Sequence, residues 1–466
     1  MEHSIRENCG LFAVYGKDNA AVPIYHGLFS LQHRGQESAG IVTADGDEVF
    51  SKKGQGLVGE VFSPSSLKAL RGHLGVGHVR YSTTGSSRAQ NVQPLVVECV
   101  DGIWAVAHNG NIVNALQLRR MYQDAGAIFQ TGTDSEVLVH LLADPMYRSR
   151  PGRVCRALSE LRGAFSFVIL TRSSVMAARD VHGFKPLCMG NMGKAVVFAS
   201  ESCALSQVGA DYVRDIEPGE LVVADKDGLK SSRFGESDSL SHCVFEMVYF
   251  ARPDSLVFGR NVHETRLEYG IQLAREHPAD ADIVFPVPDS GNSAALGYSR
   301  ESGIPLDSGF IRNHYVGRTF IMPAENEREA GVDMKLAVLT EAVRGKRVVV
   351  VDDSIVRGTT MCRRVAALRD AGAREIHLRV SCPPVKHPCF YGIDFPTSSE
   401  LAAQERNVDE IRQFVGADSL GYLSQEGLLS PFRTPGRFCT ACFTGEYATP
   451  TGAVGSKDAL EKNICR

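Results

Sequence analysis

Four consecutive valines, Val348–Val351, run straight into two acids, Asp352 and Asp353, and then into the loop-like run Ser354–Thr360 (SIVRGTT). A short apolar run that ends so abruptly predicts a strand buried on both faces, as in a parallel sheet. The period then changes. Met361, Val365 and Leu368 recur at i, i+4 and i+7 and Gly372 follows, which predicts a helix closed by a glycine. Upstream, Ile283–Val287 reads as a second short apolar strand, with Pro288-Asp289-Ser290-Gly291 turning at its end. At the N-terminus an apolar strand-like run, Gly10–Val14, starts directly after Cys9. Between these regions Ser231–Ser241 is polar and serine-rich, which predicts a linker.

Composition narrows the class. A chain of 466 residues predicts roughly two to four domains, each able to bury its own core. Its charges are dispersed and sum to −4, so it lacks the basic footprint of a nucleic-acid binder. No apolar run approaches the roughly 18 residues of a membrane helix. Residues 1–8 (MEHSIREN) have no apolar core and are not a secretory signal. That places the protein in the cytoplasm and argues against a disulfide framework among the twelve cysteines.

The valine strand and its loop carry a chemistry. Open α/β sheets bind ligands outside the carboxyl ends of their strands. Backbone N–H groups of a tight loop at a helix N-terminus suit a phosphate dianion. Gly358 permits close approach, and Thr359 and Thr360 add hydroxyl donors. Two carboxylates would repel that phosphate unless they bind sugar hydroxyls or share a Mg²⁺ with the ligand. Each piece alone fits a buried strand with a capped turn; the ordered run is more specific. It resembles the phosphoribosyl-pyrophosphate (PRPP) signature of type I phosphoribosyltransferases. The resemblance implies that Asp352 and Asp353 meet the ribose hydroxyls and metal. It implies that Ser354, Ile355, Val356, Arg357, Gly358, Thr359 and Thr360 cradle the 5′-phosphate. Pro288–Gly291 looks like the pyrophosphate loop, with Ser290 a metal contact. Arg312–Ile321 looks like the lid, and Arg312, Arg318 and Lys335 supply charge for the leaving pyrophosphate.

Cys9 poses a second question. A nucleophilic cysteine needs a base. If residues 1–8 are removed, the α-amine of Cys9, with an ordinary pKa of about 8, can serve. Taken alone, the residue fits a small buried hydrophobe. It comes with company: Gln32–Gly40 (QHRGQESAG), Gly77–Thr83 (GHVRYST), Ala107–Asn111 (AHNGN) and Thr131–Glu136 (TGTDSE). Together these resemble the glutaminase domain of class II, N-terminal-nucleophile amidotransferases. The resemblance implies Arg80 on the glutamine carboxylate and Asp134 on its ammonium. It implies an oxyanion hole from the Asn109 side chain and the Gly110 N–H. His78, His108 and Arg34 read as structural.

The two resemblances combined are those of the amidophosphoribosyltransferase family, over Cys9 to about Tyr447. They imply a propeptide at 1–8 and a glutaminase domain at 9–230, an αββα sandwich. A doubly wound parallel phosphoribosyltransferase domain at 242–404 and a C-terminal segment at 405–466 follow. The implied reaction turns glutamine, PRPP and water into 5-phosphoribosylamine, glutamate and pyrophosphate, the first step of purine synthesis. One Mg²⁺ per subunit, held by Ser290, Asp352 and Asp353, is implied, as are a homodimer or homotetramer and feedback inhibition by purine nucleotides.

The pair Cys439-Thr440-Ala441-Cys442 is open on its own to redox, zinc or no role. Its setting, FCTACFTGEY, resembles the iron–sulfur members of the family, of Bacillus and animal type. The matching ligands are Cys243, before FEMVYFARPDS, and Cys389, in PCFYGI, which implies a [4Fe–4S] cluster. Zinc also accepts four thiolates, but its sites usually draw on two close pairs and only one is present. Cys99, Cys155, Cys188, Cys203, Cys362 and Cys382 read as core residues, and Cys465 as part of a tail. Departures from the family pattern cluster at the lid: His314, Met322 and Asp333. Three other readings compete: an amidotransferase with a different acceptor domain, a non-enzymatic sensor, and a nucleobase phosphoribosyltransferase. Val348–Thr360 argues against the first. The intact Cys9, Arg80, Asn109, Gly110 and Asp134 set argues against the other two.

Overall fold

The computed structural model describes residues 9–81, 88–148, 150, 152–313, 336–395 and 400–450. Residues 1–8, Arg318, Lys335, the lid beyond Asn313, the departures His314, Met322 and Asp333, and Cys465 lie outside the described residues.

The first half is two antiparallel sheets face to face. One has the strand order Asp211–Asp215, Cys188–Met192, Ala195–Ala199, Gly10–Tyr15, Leu74–Arg80, Ser38–Asp45, Glu48–Gln55. The other runs Gly228–Arg233, Glu220–Asp225, Val175–Arg179, Gly163–Leu170, Gly102–Ile112, Leu95–Cys99. Side-chain alternation builds the layers. On the Gly10–Tyr15 strand, Phe12 and Val14 pack with Ile24 and Leu28 of the helix Ala21–Ser30. Leu11 and Ala13 face the other way and pack with Ala105, Ala107 and Val168 of the second sheet. On the far side of that sheet, Val106 and Phe167 meet Val137, Leu138 and Leu141 of the helix Glu136–Ala143. Helix, sheet, sheet, helix is the expected αββα sandwich.

The second half is a parallel sheet ordered Ile283–Pro286, Arg347–Asp352, Glu375–Val380, Ser419–Tyr422. Val348–Val351 are at most 1% exposed, so the valine run is a strand covered on both faces. The helix after it is Thr359–Asp370, and its buried residues are Met361, Val365 and Leu368, as the spacing predicts. Val284 also bridges in parallel to Leu306 on its free side. The chain therefore winds one way from Ile283–Pro286 to Leu306 and the other way to Arg347–Asp352. That reversal is a switch point, where doubly wound sheets open a ligand crevice.

Two boundaries differ from expectation. The sheet does not end by residue 404. Its strand Ser419–Tyr422 lies in the stretch read as a C-terminal segment, brought in by the helix Val408–Val415 through buried Ile411 and Val415. The Ser-rich linker also starts late, because Ser231, Ser232 and Arg233 form an edge strand paired with Glu220–Leu221–Val222. All six residues of that strand are exposed, so it carries the polar composition of a linker. Three of the cysteines read as core, Cys99, Cys155 and Cys362, are only half-buried, whereas Cys188, Cys203 and Cys382 are buried.

The switch-point loops are set by a close helix pair, Val262–Glu276 against Asn292–Ser302. A Cβ on Gly270 would stand 1.9 Å from the Ala294 carbonyl oxygen, and one on Gly297 2.0 Å from that of Leu267. Backbone meets backbone here, so nothing can step aside. Gly270→Val should therefore cost roughly 1–3 kcal/mol or more by overpacking, read as a lowered urea midpoint. An unchanged midpoint would disprove this packing.

Candidate active sites

Cys9 stands just ahead of the Gly10–Tyr15 strand. That strand pairs Gly10 with Val79, which brings Cys9 beside Arg80. The thiol donates to the Tyr81 carbonyl at 3.6 Å. Burial pushes it up to about 11, even with the Arg80 charge pulling the other way. Asp134 is also close enough for its charge to act on the thiol. Arg80 and Asp134 are both buried. Burial opposes the charge on Asp134, but His108, the Ile112 N–H at 2.9 Å and the Ser135 hydroxyl outweigh it. They hold the carboxyl below the usual carboxylate range.

Asn109 and Gly110 lie on the strand Gly102–Ile112. Asn109 is fully buried, yet neither its amide nitrogen nor its amide oxygen has a hydrogen-bond partner among the described residues. Such an amide costs about 1–3 kcal/mol, and a substrate that fills it recovers that cost. Gly110 has φ +144°, and a Cβ there would meet the Ala164 carbonyl oxygen at 2.1 Å. Only glycine leaves this stretch of backbone in place. His78 is buried and donates to the His108 carbonyl at 3.1 Å. Burial drives its imidazole down to about 3, so it is neutral at pH 7.

Arg34 does more than hold a loop. Its Nε donates to the Cys9 carbonyl at 3.3 Å, and its Nη2 reaches both oxygens of Glu246 at 2.8 Å. Glu201 takes its other end. Sequence reasoning missed both acids. A lone Glu inside the apolar run Phe245–Phe250 was the available signal for Glu246.

In the second half, Asp352 and Asp353 sit at the carboxyl end of the valine strand, each 5% exposed. Burial raises Asp352 above the usual carboxylate range; Arg364, 2.8 Å away, pulls it down, and Asp353 adds to the rise. The Ser354 hydroxyl donates to Asp353 at 2.5 Å. Ser354–Gly358 then turns into the helix, with Gly358 at φ +84° and Arg357 paired to Glu400 at 2.7 Å. Thr359 and Thr360 open that helix. Across the switch point, Val287 donates to the Val351 carbonyl at 2.8 Å, and the turn with Ser290 follows. Arg312 is paired with Asp289 of the same turn. Phe310–Arg312, where the stretch read as a lid begins, pairs antiparallel with Leu336–Val338.

The two halves touch at the Asn109 strand. A Cβ on Gly392 would be 2.9 Å from the Gly110 carbonyl carbon, and Asn111 donates to the Phe390 carbonyl at 2.9 Å. The loop after Cys389 thus lies directly on the strand bearing Asn109.

Comparison with known proteins agrees with both halves. The glutamine amidotransferase domain family matches residues 78–207 and the phosphoribosyl transferase domain family residues 271–390. The chain is 49% identical to the amidophosphoribosyltransferase of Bacillus subtilis, over 96% of this chain and 95% of that one. It belongs to the amidophosphoribosyltransferase family. The enzyme of that name from Methanothermobacter thermautotrophicus is 47% identical, over 96% of each chain. A solved structure of the B. subtilis glutamine PRPP amidotransferase complexed with ADP and GMP matches with a TM-score of 0.88, at 48% identity. The match covers 95% of this chain and 98% of that one.

Whether the residues fit the family's implied cofactors can be tested on the chain itself. Among the described residues, no three His, Cys, Asp or Glu side chains form a group that could hold one metal ion. The four cysteines nevertheless converge. Cys243 and Cys439 face each other in a short parallel ladder, and Cys442 follows on the next helical turn. Burial raises the thiols of Cys243, Cys439 and Cys442; all three feel Cys389, Cys439 also feels Cys243, and Cys442 feels both Cys243 and Cys439. Four thiols from three segments, Cys243 and Cys442 buried and Cys389 and Cys439 half-buried, suit a cluster whose thiolates bind different irons and stand wider apart than around one zinc. Two buried adjacent carboxylates, one of them raised, likewise suit a divalent cation or sugar hydroxyls.

The Cys9 shift has a direct consequence. With its thiol near 11, fewer than roughly one in a thousand is ionised at pH 7.5. In a chain starting at Met1, alkylation of Cys9 by iodoacetamide should rise about tenfold per pH unit from 7 to 10. A rate that levels off near pH 8, followed by peptide mass spectrometry, would contradict this.

Proposed function

We propose that the chain carries out glutamine-dependent amination of PRPP by a division of labour between Cys9 and the Asp352–Thr360 loop. The observation that carries the reading is the buried Asn109 amide, without a partner among the described residues, on the strand whose Ile112 N–H binds Asp134; Asp134 and Arg80 in turn act on Cys9. Removal of residues 1–8 gives Cys9 a free α-amine, which takes the thiol proton. The need for that amine is supported by the burial that otherwise holds the thiol un-ionised. Arg80 binds the glutamine carboxylate and Asp134 its ammonium. The thiolate attacks the carboxamide carbon, and Asn109 and the Gly110 N–H receive the oxyanion. Ammonia leaves and water hydrolyses the thioester to glutamate.

At the second site, Ser354–Thr360 holds the 5′-phosphate through its backbone and hydroxyls. Asp352 and Asp353 bind the ribose hydroxyls. A Mg²⁺ held there with Ser290 would neutralise the pyrophosphate as it leaves. Arg312, Arg318 and Lys335 add positive charge, so Arg312 must exchange Asp289 for the substrate. Ammonia attacks C1 of the ribose as pyrophosphate departs. Free ammonia is protonated in bulk water, so the transfer needs an enclosed path. Cys243, Cys389, Cys439 and Cys442 hold a [4Fe–4S] cluster that staples the end of the chain across both halves. Purine nucleotides compete at the PRPP site through their shared 5′-phosphate, and the chains assemble as a homo-oligomer. No helix among the described residues is long and apolar enough to cross a membrane.

Glutamate release under anaerobic conditions with glutamine and Mg²⁺ should rise strongly on adding PRPP, and pyrophosphate should appear with it. Cys9→Ala should lose glutamine use and keep ammonia-dependent synthesis; loss of both would sink the two-site reading. Asn109→Leu should melt no lower than the parent, because it removes an unpaired buried amide. Its glutaminase rate should fall by about 10²–10³. A less stable variant with unchanged glutaminase would reverse the assignment.

A further inference from the structure

Asp352 and Asp353 are chain neighbours and equally buried, yet the fold treats them differently. Oδ1 of Asp352 accepts the Asp353 N–H at 3.0 Å, and its Oδ2 accepts Nη1 of Arg364 at 2.8 Å. The Asp352 carbonyl accepts the Ser381 N–H at 2.9 Å. Backbone and side chain of this acid are thus both fixed, the side chain by a cation. Asp353 has no ion pair among the described residues, and its carboxylate takes the Ser354 hydroxyl on Oδ2 alone.

The helix Thr359–Asp370 places Arg364. Its buried face is Met361, Val365 and Leu368, and Arg364 stands beside that face. Helical side chains lean toward the N-terminus, so Arg364 reaches back behind the Ser354–Gly358 loop to the end of the valine strand. The side chains of the pair are 23% and 7% exposed, so the bond is largely shielded from water.

Two adjacent carboxylates repel each other in such a place. Arg364 relieves that repulsion from within the fold, and on one acid only. A carboxylate paired with a guanidinium keeps lone pairs for a hydroxyl donor. It is a poor ligand for a divalent ion, because the guanidinium repels a second cation beside it. Asp353, with no cation of its own, is the better ligand.

We infer that Arg364 divides the work of the two acids: it holds Asp352 as a reader of the ribose hydroxyls and leaves the divalent ion to Asp353. The inference rests on the phosphoribosyl reading and narrows it. Arg364 is a positioning residue, since it acts on the substrate through Asp352.

The test uses the full chain and two probes. Ribose 5-phosphate binding is followed by calorimetry in EDTA, and Mn²⁺ binding by the paramagnetic resonance of the free ion, without sugar phosphate. The parent should bind ribose 5-phosphate in EDTA and bind Mn²⁺ weakly. Arg364→Gln keeps a donor and loses the charge. It should bind ribose 5-phosphate about tenfold more weakly and Mn²⁺ severalfold more tightly, because Asp352 is released to the ion. A merely structural loss would weaken both. Arg364→Lys should stay close to the parent on both probes. Asp353→Asn should abolish the parent's Mn²⁺ binding, which keeps the idea testable if Arg364→Gln does not fold. No ribose 5-phosphate binding by the parent, with or without Mg²⁺, would sink the phosphoribosyl reading itself. Parent binding that requires Mg²⁺, an Arg364→Gln protein that matches the parent or weakens on both probes, or Mn²⁺ binding that survives Asp353→Asn would overturn the role of Arg364 alone.

Discussion

The guanidinium of Arg34 is the interaction on which the two halves depend. It is 1% exposed and ends in Glu201 on one side and Glu246 on the other. Glu201 immediately precedes the helix Ser202–Gln207 of the sandwich. Glu246 begins the turn that leads out of the sandwich toward the parallel sheet. Burying three charges is expensive, and replacing such a group by apolar residues is often neutral for stability. Breaking it from one side is not, because about 3–5 kcal/mol is lost when a buried charge is orphaned. The group therefore contributes specificity of docking more than bulk stability. Its third contact, to the Cys9 carbonyl, gives that docking a chemical consequence. The position of Cys9 is set by a residue whose own position is set across the domain boundary.

The parts of this fold that were legible in the sequence are those where one physical demand dominates. Val348–Val351 must be apolar on both faces, so composition alone marks the strand. Met361, Val365 and Leu368 mark the helix because only one of its faces is buried. Strand Ser419–Tyr422 was not legible: four residues with a glycine carry no period, and the sheet supplies the order. Edge strand Gly228–Arg233 was hidden for the opposite reason, since nothing covers it and polar residues serve it well. At the sites, Cys9, Arg80, Asn109, Gly110 and Asp134 announce themselves by motif. Glu201 and Glu246 do not, because their meaning lies in partners 167 and 212 residues away.

The contact between Gly392 and Gly110 explains why the cysteines and the Asn109 strand share one region. Cys389 sits three residues before Gly392, and Tyr391 stacks on Phe184 at 4.1 Å, next to Lys185. Asn111 holds the Phe390 carbonyl. Whatever fixes Cys389 thereby fixes the backbone pressed against Gly110, whose φ of +144° leaves it no room for a side chain. The same loop returns through Ile393 and Phe395 to the core of the parallel sheet. A displacement at the thiols would reach the Asn109 strand through backbone contacts and the Cys9 carbonyl through Glu246 and Arg34. The route through Glu246 and Arg34 is buried, and the one through Phe390 and Gly110 is half-buried.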